Sequence, residues 1–316
     1  MDCVRADASS APRAKRACQS DTILGVNPLI MYFASGESFY LGAALLLMLV
    51  IISNFSLLDS ATLIWRTFVW VALALMIMAS PPFPWILDFI FGVVFLTWLI
   101  SSYPKSKRKR LSRLRTISTC ALSLAIVGFA TAELCSRRLP IVYANSSDHV
   151  VVLGDSISAG LGGPVRPWPE LTEQMSGIQV KNLSKAGATM KDGLAMANQV
   201  GPQDRLILIE LGGNDLLGGE SADSFARSLE SVLQRLIESG RTLIMFELPL
   251  LPQMIPYGQA QRQLAKKYGV VLIPKRFLAG VLAGADATSD GLHLTEIGAR
   301  RMAFLVARVL SSHVQS

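Results

Sequence analysis

The chain has 316 residues, a formal net charge of +7, 51% apolar residues and a mean hydropathy of +0.41. Soluble globular proteins have lower hydropathy, so the composition argues against a wholly soluble chain, and the length predicts about two domains. Seven Lys and Arg side chains lie within 105–115 between apolar segments, which is typical of a cytoplasmic membrane loop, and the rest of the chain offers no basic face for nucleic acid.

The N-terminal segment, residues 1–36, is polar and mixed in charge, and we predict a flexible tail there. Its one apolar piece, Ile23–Ala34, is interrupted by Asn27-Pro28. That piece is too short to cross a bilayer easily, so it is expected to lie at the membrane interface.

Four apolar stretches follow, over 38–58, 61–80, 84–103 and 116–134. Each is close to the ~20 residues that a transmembrane helix needs, and the prolines at 81, 82 and 84 separate the second from the third. The sequence therefore predicts about four transmembrane helices within 37–135. Arg66 and Asp88 fall inside these spans, about 15 Å apart in depth at ~1.5 Å per residue, so they are expected to extend separately towards the span ends.

The basic run sets the predicted orientation. If 105–115 stays cytoplasmic, the fourth span crosses outwards and the rest of the chain is extracytoplasmic, either periplasmic or on the cell surface. Four spans would also place the basic N-terminal tail outside, and a further crossing by Ile23–Ala34 would remove that conflict. Residues 105–132 end in Ala130-Thr131-Ala132, as a secretory signal does, but their internal position favours an uncleaved anchor.

A polar linker, 136–148, precedes a C-terminal domain over 149–316 with a different pattern. Near-continuous apolar strands alternate there with amphipathic helices, which predicts a parallel sheet covered on both faces. The predicted strands are His149–Leu153, Gln179–Leu183, Arg205–Leu211, Thr242–Glu247 and Val270–Ile273. The predicted helices are 188–200, 222–239, 257–268 and 295–312.

Polar clusters follow these strands, and parallel sheets carry their working residues at the carboxyl ends of the strands. Ser156 follows the first strand and is a candidate nucleophile. His293 is the candidate base, because His149 and His313 lie at the start of the first strand and at the C-terminus. Asp290, three residues earlier, can bind Nδ1 of that histidine and leave Nε2 for the serine proton.

An oxyanion formed by serine attack needs two or three nearby donors. The backbone N–H groups of Ser156 and Gly187 and the side-chain amide of Asn214 are the candidates. Asp155 and Asp215 are expected to be structural, bound to backbone N–H groups of their own turns. No cysteine lies in 149–316 and none of the four has metal-ligand spacing, so neither a metal nor an organic cofactor is expected.

These clusters resemble the sequence blocks of the SGNH, or GDSL-type, serine hydrolase family. Gly154-Asp155-Ser156, Gly187, Gly212-Gly213-Asn214-Asp215 and Asp290 with His293 occur in the family's order. Trp168-Pro169-Glu170-Leu171 and Glu210 make the chain most similar to the arylesterase, lysophospholipase and thioesterase I branch. The resemblance implies a five-stranded α/β/α sandwich of flavodoxin-like topology, catalytic Ser156, Asp290 and His293, and an oxyanion hole of Ser156, Gly187 and Asn214. The membrane-spanning first half is a departure from the secreted members.

The substrate class stays open at this level. An apolar loop over 248–257 follows the fourth strand, and Leu216, Leu217, Leu251, Met254 and Ile255 are candidates to line an acyl-chain groove. Either that loop forms a substrate wall or it packs on the sheet edge. The first hypothesis is a membrane-anchored esterase for lipid-like or small acyl esters. The alternatives are an O-acetyl esterase or acetyltransferase acting on envelope carbohydrate, and an inactive interaction module.

Overall fold

The computed structural model describes residues 28–54, 63–79, 81–102, 109–144, 148–160, 165–238 and 240–312. Most of the predicted tail, residues 1–27, lies outside the described residues. Lys105, Lys107 and Arg108 of the basic run also lie outside them, as does His313.

The N-terminal half is helical, as its uninterrupted apolar stretches predict. Its helices are α1 (Pro28–Ala34), α2 (Ser38–Asn54), α3 (Leu63–Met78), α4 (Trp85–Ser102) and α5 (Lys109–Cys135). Helix α2 packs against α3 and α5, and α5 also packs against α4. The indole rings of Trp65 and Trp98 meet inside this bundle, with centroids 5.6 Å apart. The bundle thus has a hydrophobic core separate from that of the C-terminal half.

The expected four spans are not reproduced at full length. Within the described part of the chain, the stretches Trp85–Ser102 and Arg113–Cys135 are long and apolar enough to cross a membrane. Helices α1 and α2 together qualify as one further span, bent by 70°. Helix α3 has 16 residues and covers about 24 Å at ~1.5 Å per residue, less than the ~30 Å of a bilayer core. By length and composition, the described residues therefore contain two to three helices or helix pairs that could cross a membrane.

The C-terminal half contains a five-stranded parallel sheet in the order β3-β2-β4-β5-β6. The strands of the chain are β1 (Val142–Ala144), β2 (His149–Gly154), β3 (Gln179–Asn182), β4 (Leu206–Glu210), β5 (Thr242–Phe246), β6 (Val271–Ile273) and β7 (Leu310–Ser312). Strand β2 pairs with β3 and β4 at the centre, with Val152 opposite Asn182 and Leu208. All five predicted strands are present, with ends within one residue of those predicted.

Helices cover both faces of this sheet. They are α6 (Ser156–Ala159), α7 (Trp168–Ser176), α8 (Gly193–Ala197), α9 (Gly213–Leu217), α10 (Ala222–Leu236), α11 (Ile255–Tyr268), α12 (Lys275–Leu282) and α13 (Glu296–Val309). Val150 and Val152 pack on one side with α7, α12 and α13, whereas Val151 and Leu153 pack on the other with α8, α10 and α11. Successive strand residues point to opposite faces, so two apolar layers give the three-layer α/β/α sandwich.

Several elements differ from the sequence-based expectation. The predicted polar linker 136–148 contains β1, which pairs in parallel with β7 at the C-terminus. Helices α7 and α12 were not predicted because they are short, at nine and eight residues. The segment 28–34, predicted to be tail or an interfacial piece, forms α1 and packs against α12 of the sandwich.

Buried polar groups join the sandwich to the helical bundle. Arg262 of α11 donates to both carboxylate oxygens of Glu133, at 2.9 and 3.2 Å, and to Glu247 at 2.6 Å. The Nζ of buried Lys275 donates to the carbonyl of Ala79 at 2.9 Å. Burial lowers the pKa of Lys275 to about 8, although the charges of Glu247 and Glu133 oppose that shift. A buried charge that loses its partner costs several kcal/mol, so this network fixes how the two halves meet.

Candidate active site

Ser156 lies at the carboxyl end of the central strand β2, as the first residue of α6. Asp155 caps that helix, with its Oδ1 accepting the N–H of Ile157 at 2.9 Å. Because the first N–H groups of a helix have no acceptor inside the helix, the Ser156 N–H makes no hydrogen bond within α6. The residue is 7% exposed, so its hydroxyl is largely shielded from water.

Asp290 and His293 form a close pair in the loop before α13. The His293 Nδ1 and the Asp290 Oδ2 lie 2.6 Å apart, while Asp290 Oδ1 accepts the backbone N–H groups of Leu292 and His293 at 3.0 and 2.8 Å. Burial alone would raise the pKa of Asp290, but these hydrogen bonds outweigh it and lower the pKa to about 2. The carboxylate is therefore ionised at neutral pH and holds Nδ1, which leaves Nε2 free to exchange a proton.

Hydrogen bonds draw the loops after β2, β3 and β4 together. The Asn214 amide donates to the Ala188 carbonyl at 2.9 Å and to Asp155 Oδ2 at 3.3 Å. Asp215 Oδ2 accepts the N–H of Met190 at 2.8 Å. Asp215 was expected to bind its own turn, but it reaches across to the loop after β3. The clusters that the sequence places after three separate strands thus share one edge of the sheet.

His293 approaches the same edge from the far end of the chain. Its charge acts on the carboxyl of Asp155, the residue before Ser156, and opposes the effect of burial on the pKa of that carboxyl. Within the described chain, the structure records no hydrogen bond between the Ser156 hydroxyl and the His293 ring. Such contacts are often long without substrate and shorten when it binds.

One of the predicted oxyanion donors, Gly187, has open surroundings. Gly187 has φ = +72°, and a Cβ added to it would meet no atom within 4 Å. A non-glycine residue would be strained in that conformation, and a side chain would fill the space into which the turn opens. Asn214, another predicted donor, already binds two acceptors, the Ala188 carbonyl and Asp155 Oδ2.

Glu210, at the end of β4, is a site residue that the sequence argument did not identify. It is completely buried, accepts the Ser158 hydroxyl at 2.6 Å and hydrogen-bonds Asp155. Burial and the neighbouring Asp155 raise the pKa of Glu210 well above its usual value, and burial raises the pKa of Asp155 to about 6. Burial therefore favours the protonated forms of this carboxyl pair. The feature of the sequence that could have identified Glu210 is a carboxylate at the end of an otherwise apolar strand.

We expect the Glu210→Gln variant to flatten the pH dependence of stability. With raised pKa values in the folded state, the unfolded chain releases these protons first as pH rises, so the free energy of unfolding falls from about pH 4 upwards. The variant should lose less stability than the wild type between pH 4 and 7. Thermal melting of the detergent-solubilised chain at each pH measures this. Glu296→Gln, on the surface, is the matched control, and equal slopes in all three proteins would contradict the raised pKa of Glu210.

The predicted substrate-contacting residues separate into different environments. Leu217 is 72% exposed beside the Asn214 turn. Leu216 and Met254 pack against the sandwich core. Leu251 is exposed at the surface, and Ile255 faces a cavity in the helical bundle. Leu248 and Leu250 are buried, so the loop 248–257 both packs on the sheet edge and presents apolar side chains outwards.

Among the described residues, no group of three or more His, Cys, Asp or Glu side chains is arranged to bind a metal ion. The site thus consists of a serine, a histidine–aspartate pair and backbone or amide donors. Such a set is suited to nucleophilic acyl transfer.

Residues 152–301 match the sequence pattern of the GDSL-like Lipase/Acylhydrolase family. An arylesterase from Vibrio mimicus is 31% identical over 188 residues, which are 54% of this chain and 92% of that protein. The thioesterase 1/protease 1/lysophospholipase L1 of Escherichia coli (strain K12) is 29% identical over 163 residues, covering 48% of this chain and 77% of that protein. A crystal structure of TesA aligns at 28% identity and a TM-score of 0.46, over 50% of this chain and 96% of that one.

Proposed function

The chain belongs to the GDSL-like lipase/acylhydrolase family and is a serine hydrolase acting on ester bonds, and from this premise we propose that it is a membrane-anchored hydrolase of acyl esters with Ser156, His293 and Asp290 as its triad. The observation that carries the proposal is the 2.6 Å contact between Asp290 and the His293 Nδ1, close to the turn that holds Ser156. The arylesterase and lysophospholipase names of the relatives support ester substrates.

The proposed reaction proceeds in two steps. The Ser156 Oγ attacks the ester carbonyl carbon while His293 Nε2 takes its proton, and the N–H groups of Ser156 and Gly187 with the Asn214 amide stabilise the oxyanion. The C–O bond to the alcohol breaks, and His293 returns the proton to the leaving oxygen. A water molecule then attacks the acyl-serine with His293 as base, which releases the carboxylic acid and restores Ser156.

The helical bundle supports the membrane part of the proposal. Helix α5 begins at Lys109 in the basic run and ends at Cys135, where Glu133 binds Arg262 of the sandwich. The basic run and the sandwich therefore lie at opposite ends of this helix. If the basic end is cytoplasmic, the hydrolase rests on the outer face of the membrane. Cleavage after Ala132 would remove Glu133 from the bundle, so the contact favours an uncleaved anchor.

Hydrolysis of 4-nitrophenyl esters by the full chain in detergent micelles tests the activity. We expect saturable release of 4-nitrophenol and a burst whose amplitude matches the enzyme concentration if deacylation is the slower step. Covalent labelling of Ser156 by a fluorophosphonate, located by peptide mass, gives an independent readout. An absence of both hydrolysis and labelling would contradict the proposal and favour an inactive module.

A fusion of alkaline phosphatase to Ser316 tests the orientation, because this reporter matures only outside the cytoplasm. We expect an active reporter for the full chain. Replacing the seven basic residues of 105–115 by glutamine should lower the reporter signal, because the basic run would no longer hold that loop inside. An inactive reporter on the unaltered chain, with a cytoplasmic reporter active at the same position, would place the hydrolase inside.

A further inference from the structure

An apolar cleft of about 400 Å³ lies in the helical bundle at the end next to the sandwich. Its walls are the facing sides of α3 and α4 with the start of α2, and Ile255 of the sandwich closes one side. The volume lies within the range of small-molecule sites. The lining includes Phe91, Gly92 and Phe95 of α4, and among the described lining residues Asp88 is the one charged side chain.

Apolar surface surrounds the cleft on the outside of the bundle. The inner wall is aromatic, with the Phe129 ring centroid 4.7 Å from that of Phe83 and 5.5 Å from that of Phe91. The outward side chains of α4 are also apolar, as expected for a helix facing lipid. They include Trp85, Ile86, Phe89, Ile90, Val93 and Leu96. A ligand that reaches the cleft from the outer surface of α4 therefore comes from the hydrocarbon core of the membrane. A lipid acyl chain is apolar, as the wall of the cleft is.

The edge of the sheet formed by the carboxyl ends of its strands faces the end of the bundle that contains the cleft. Glu247 follows β5 and binds Arg262, while Lys275, just after β6, binds the Ala79 carbonyl next to α3. Ser156 follows β2, which lies two strands from β5. At ~4.8 Å per strand, the nucleophile is about 10 Å along that edge from the end of β5.

Direct packing connects the turn that carries Asn214 to the cleft. A Cβ placed on Gly212 would lie 2.9 Å from Leu248 Cδ1, so this leucine packs on the turn that carries Asn214. A Cβ placed on Gly258 would lie 2.7 Å from Leu250 Cδ1 and 3.0 Å from Pro82. Pro82 lies between two residues of the cleft wall. The loop 248–257 thus runs from the turn that carries Asn214 to the wall of the cleft, where Ile255 lies.

We propose that this cleft holds the acyl chain of a long-chain lipid ester while the ester group is attacked at Ser156. The inference rests on the proposed esterase activity and adds a substrate class to it. The fused bundle then supplies a part of the substrate site that the α/β sandwich lacks. An ester of a membrane lipid would be bound without moving its chain through water, and short acyl esters would not use the cleft.

The Gly92→Leu variant tests the cleft. Gly92 lines the cleft, and a Cβ added there meets no atom within 4 Å, so we expect a leucine at this position to occupy part of the space. Gly128→Leu is the matched control, since Gly128 of α5 is equally open but does not line the cleft. The full chain in lipid nanodiscs is assayed with 4-nitrophenyl esters from acetyl to palmitoyl. We expect Gly92→Leu to lower kcat/KM for palmitoyl by about 10-fold or more and to leave acetyl unchanged.

The outcomes separate the two proposals. If the wild type hydrolyses no ester, the proposed function fails. If it hydrolyses esters but prefers acetyl, or if Gly92→Leu lowers the palmitoyl rate no more than Gly128→Leu, the function stands and the cleft inference is overturned. If Gly92→Leu loses acetyl activity as well, the test is made on the wild type instead. The wild type is photo-crosslinked with a palmitoyl ester that carries a terminal diazirine. Crosslinks to α3 or α4 support the cleft, and their absence from both helices overturns it.

Discussion

Replacement of Ser156 by alanine is expected to lower kcat for ester hydrolysis by about 10⁴- to 10⁶-fold. Without the hydroxyl no acyl-enzyme can form, and only water attack assisted by the oxyanion donors remains. The fold should be unaffected, because the Ser156 hydroxyl makes no recorded hydrogen bond within the described residues. Steady-state kinetics of the full chain with a 4-nitrophenyl ester, together with the melting temperature, measure both effects.

Ser184→Ala is the matched control for this prediction. Ser184 lies beside Gly154, near the proposed nucleophile, and its buried hydroxyl has no hydrogen-bond partner among the described residues. Its removal should therefore leave the rate unchanged. A normal rate for Ser156→Ala, or a loss in Ser184→Ala that equals the loss in Ser156→Ala, would show that the nucleophile has been assigned to the wrong residue.

Asp290→Asn is expected to lower kcat by about 10²- to 10⁴-fold with little change in KM. The asparagine amide cannot accept the Nδ1 proton as the ionised carboxylate does, so the ring is no longer held with Nε2 unprotonated. The lower end of the range reflects the 52% exposure of the Asp290 side chain, since water can replace part of the interaction. A ratio of kcat values, measured with the same ester at pH 7, gives the effect.

The low pKa of Asp290 gives this prediction a pH signature. A carboxyl whose pKa is depressed to about 2 stabilises the fold above its unfolded value of about 3.9, and that contribution disappears as pH falls through 2. The difference in melting temperature between wild type and Asp290→Asn should therefore shrink between pH 4 and pH 2. Asp192→Asn serves as the activity control and should retain full activity, because the Asp192 carboxylate accepts its hydrogen bonds from Thr189 and makes none to His293 among the described residues. A constant difference, or equal losses of activity in both variants, would contradict the assignment.

The strands were predictable because burial on both faces leaves a continuous apolar run. Val150–Leu153 and Leu206–Ile209 have that pattern, and both are central strands of the sheet. The approach of Asp290 to His293 was also predictable, since three residues separate them and the contact is local. The full number of membrane spans was not, because α3 ends at Met78, before the proline segment. Hydropathy does not say how much of an apolar stretch is helical.

Chemistry between distant residues depended on the tertiary structure. Nothing in the sequence pairs Glu133 with Arg262, 129 residues away, or places Glu210 against Asp155. Each pair forms only because the fold brings the two residues together in a core that excludes water.

The sequence by itself determined the strands of the sheet, the polar clusters that follow them and the candidate nucleophile. The strands depend on local periodicity, and the clusters meet because parallel strands end at one edge of the sheet. The tertiary structure decided that this edge faces the helical bundle and that a cleft opens between α3 and α4. Both features arise from the packing of two separate hydrophobic cores against each other, and packing between cores leaves no period in the sequence.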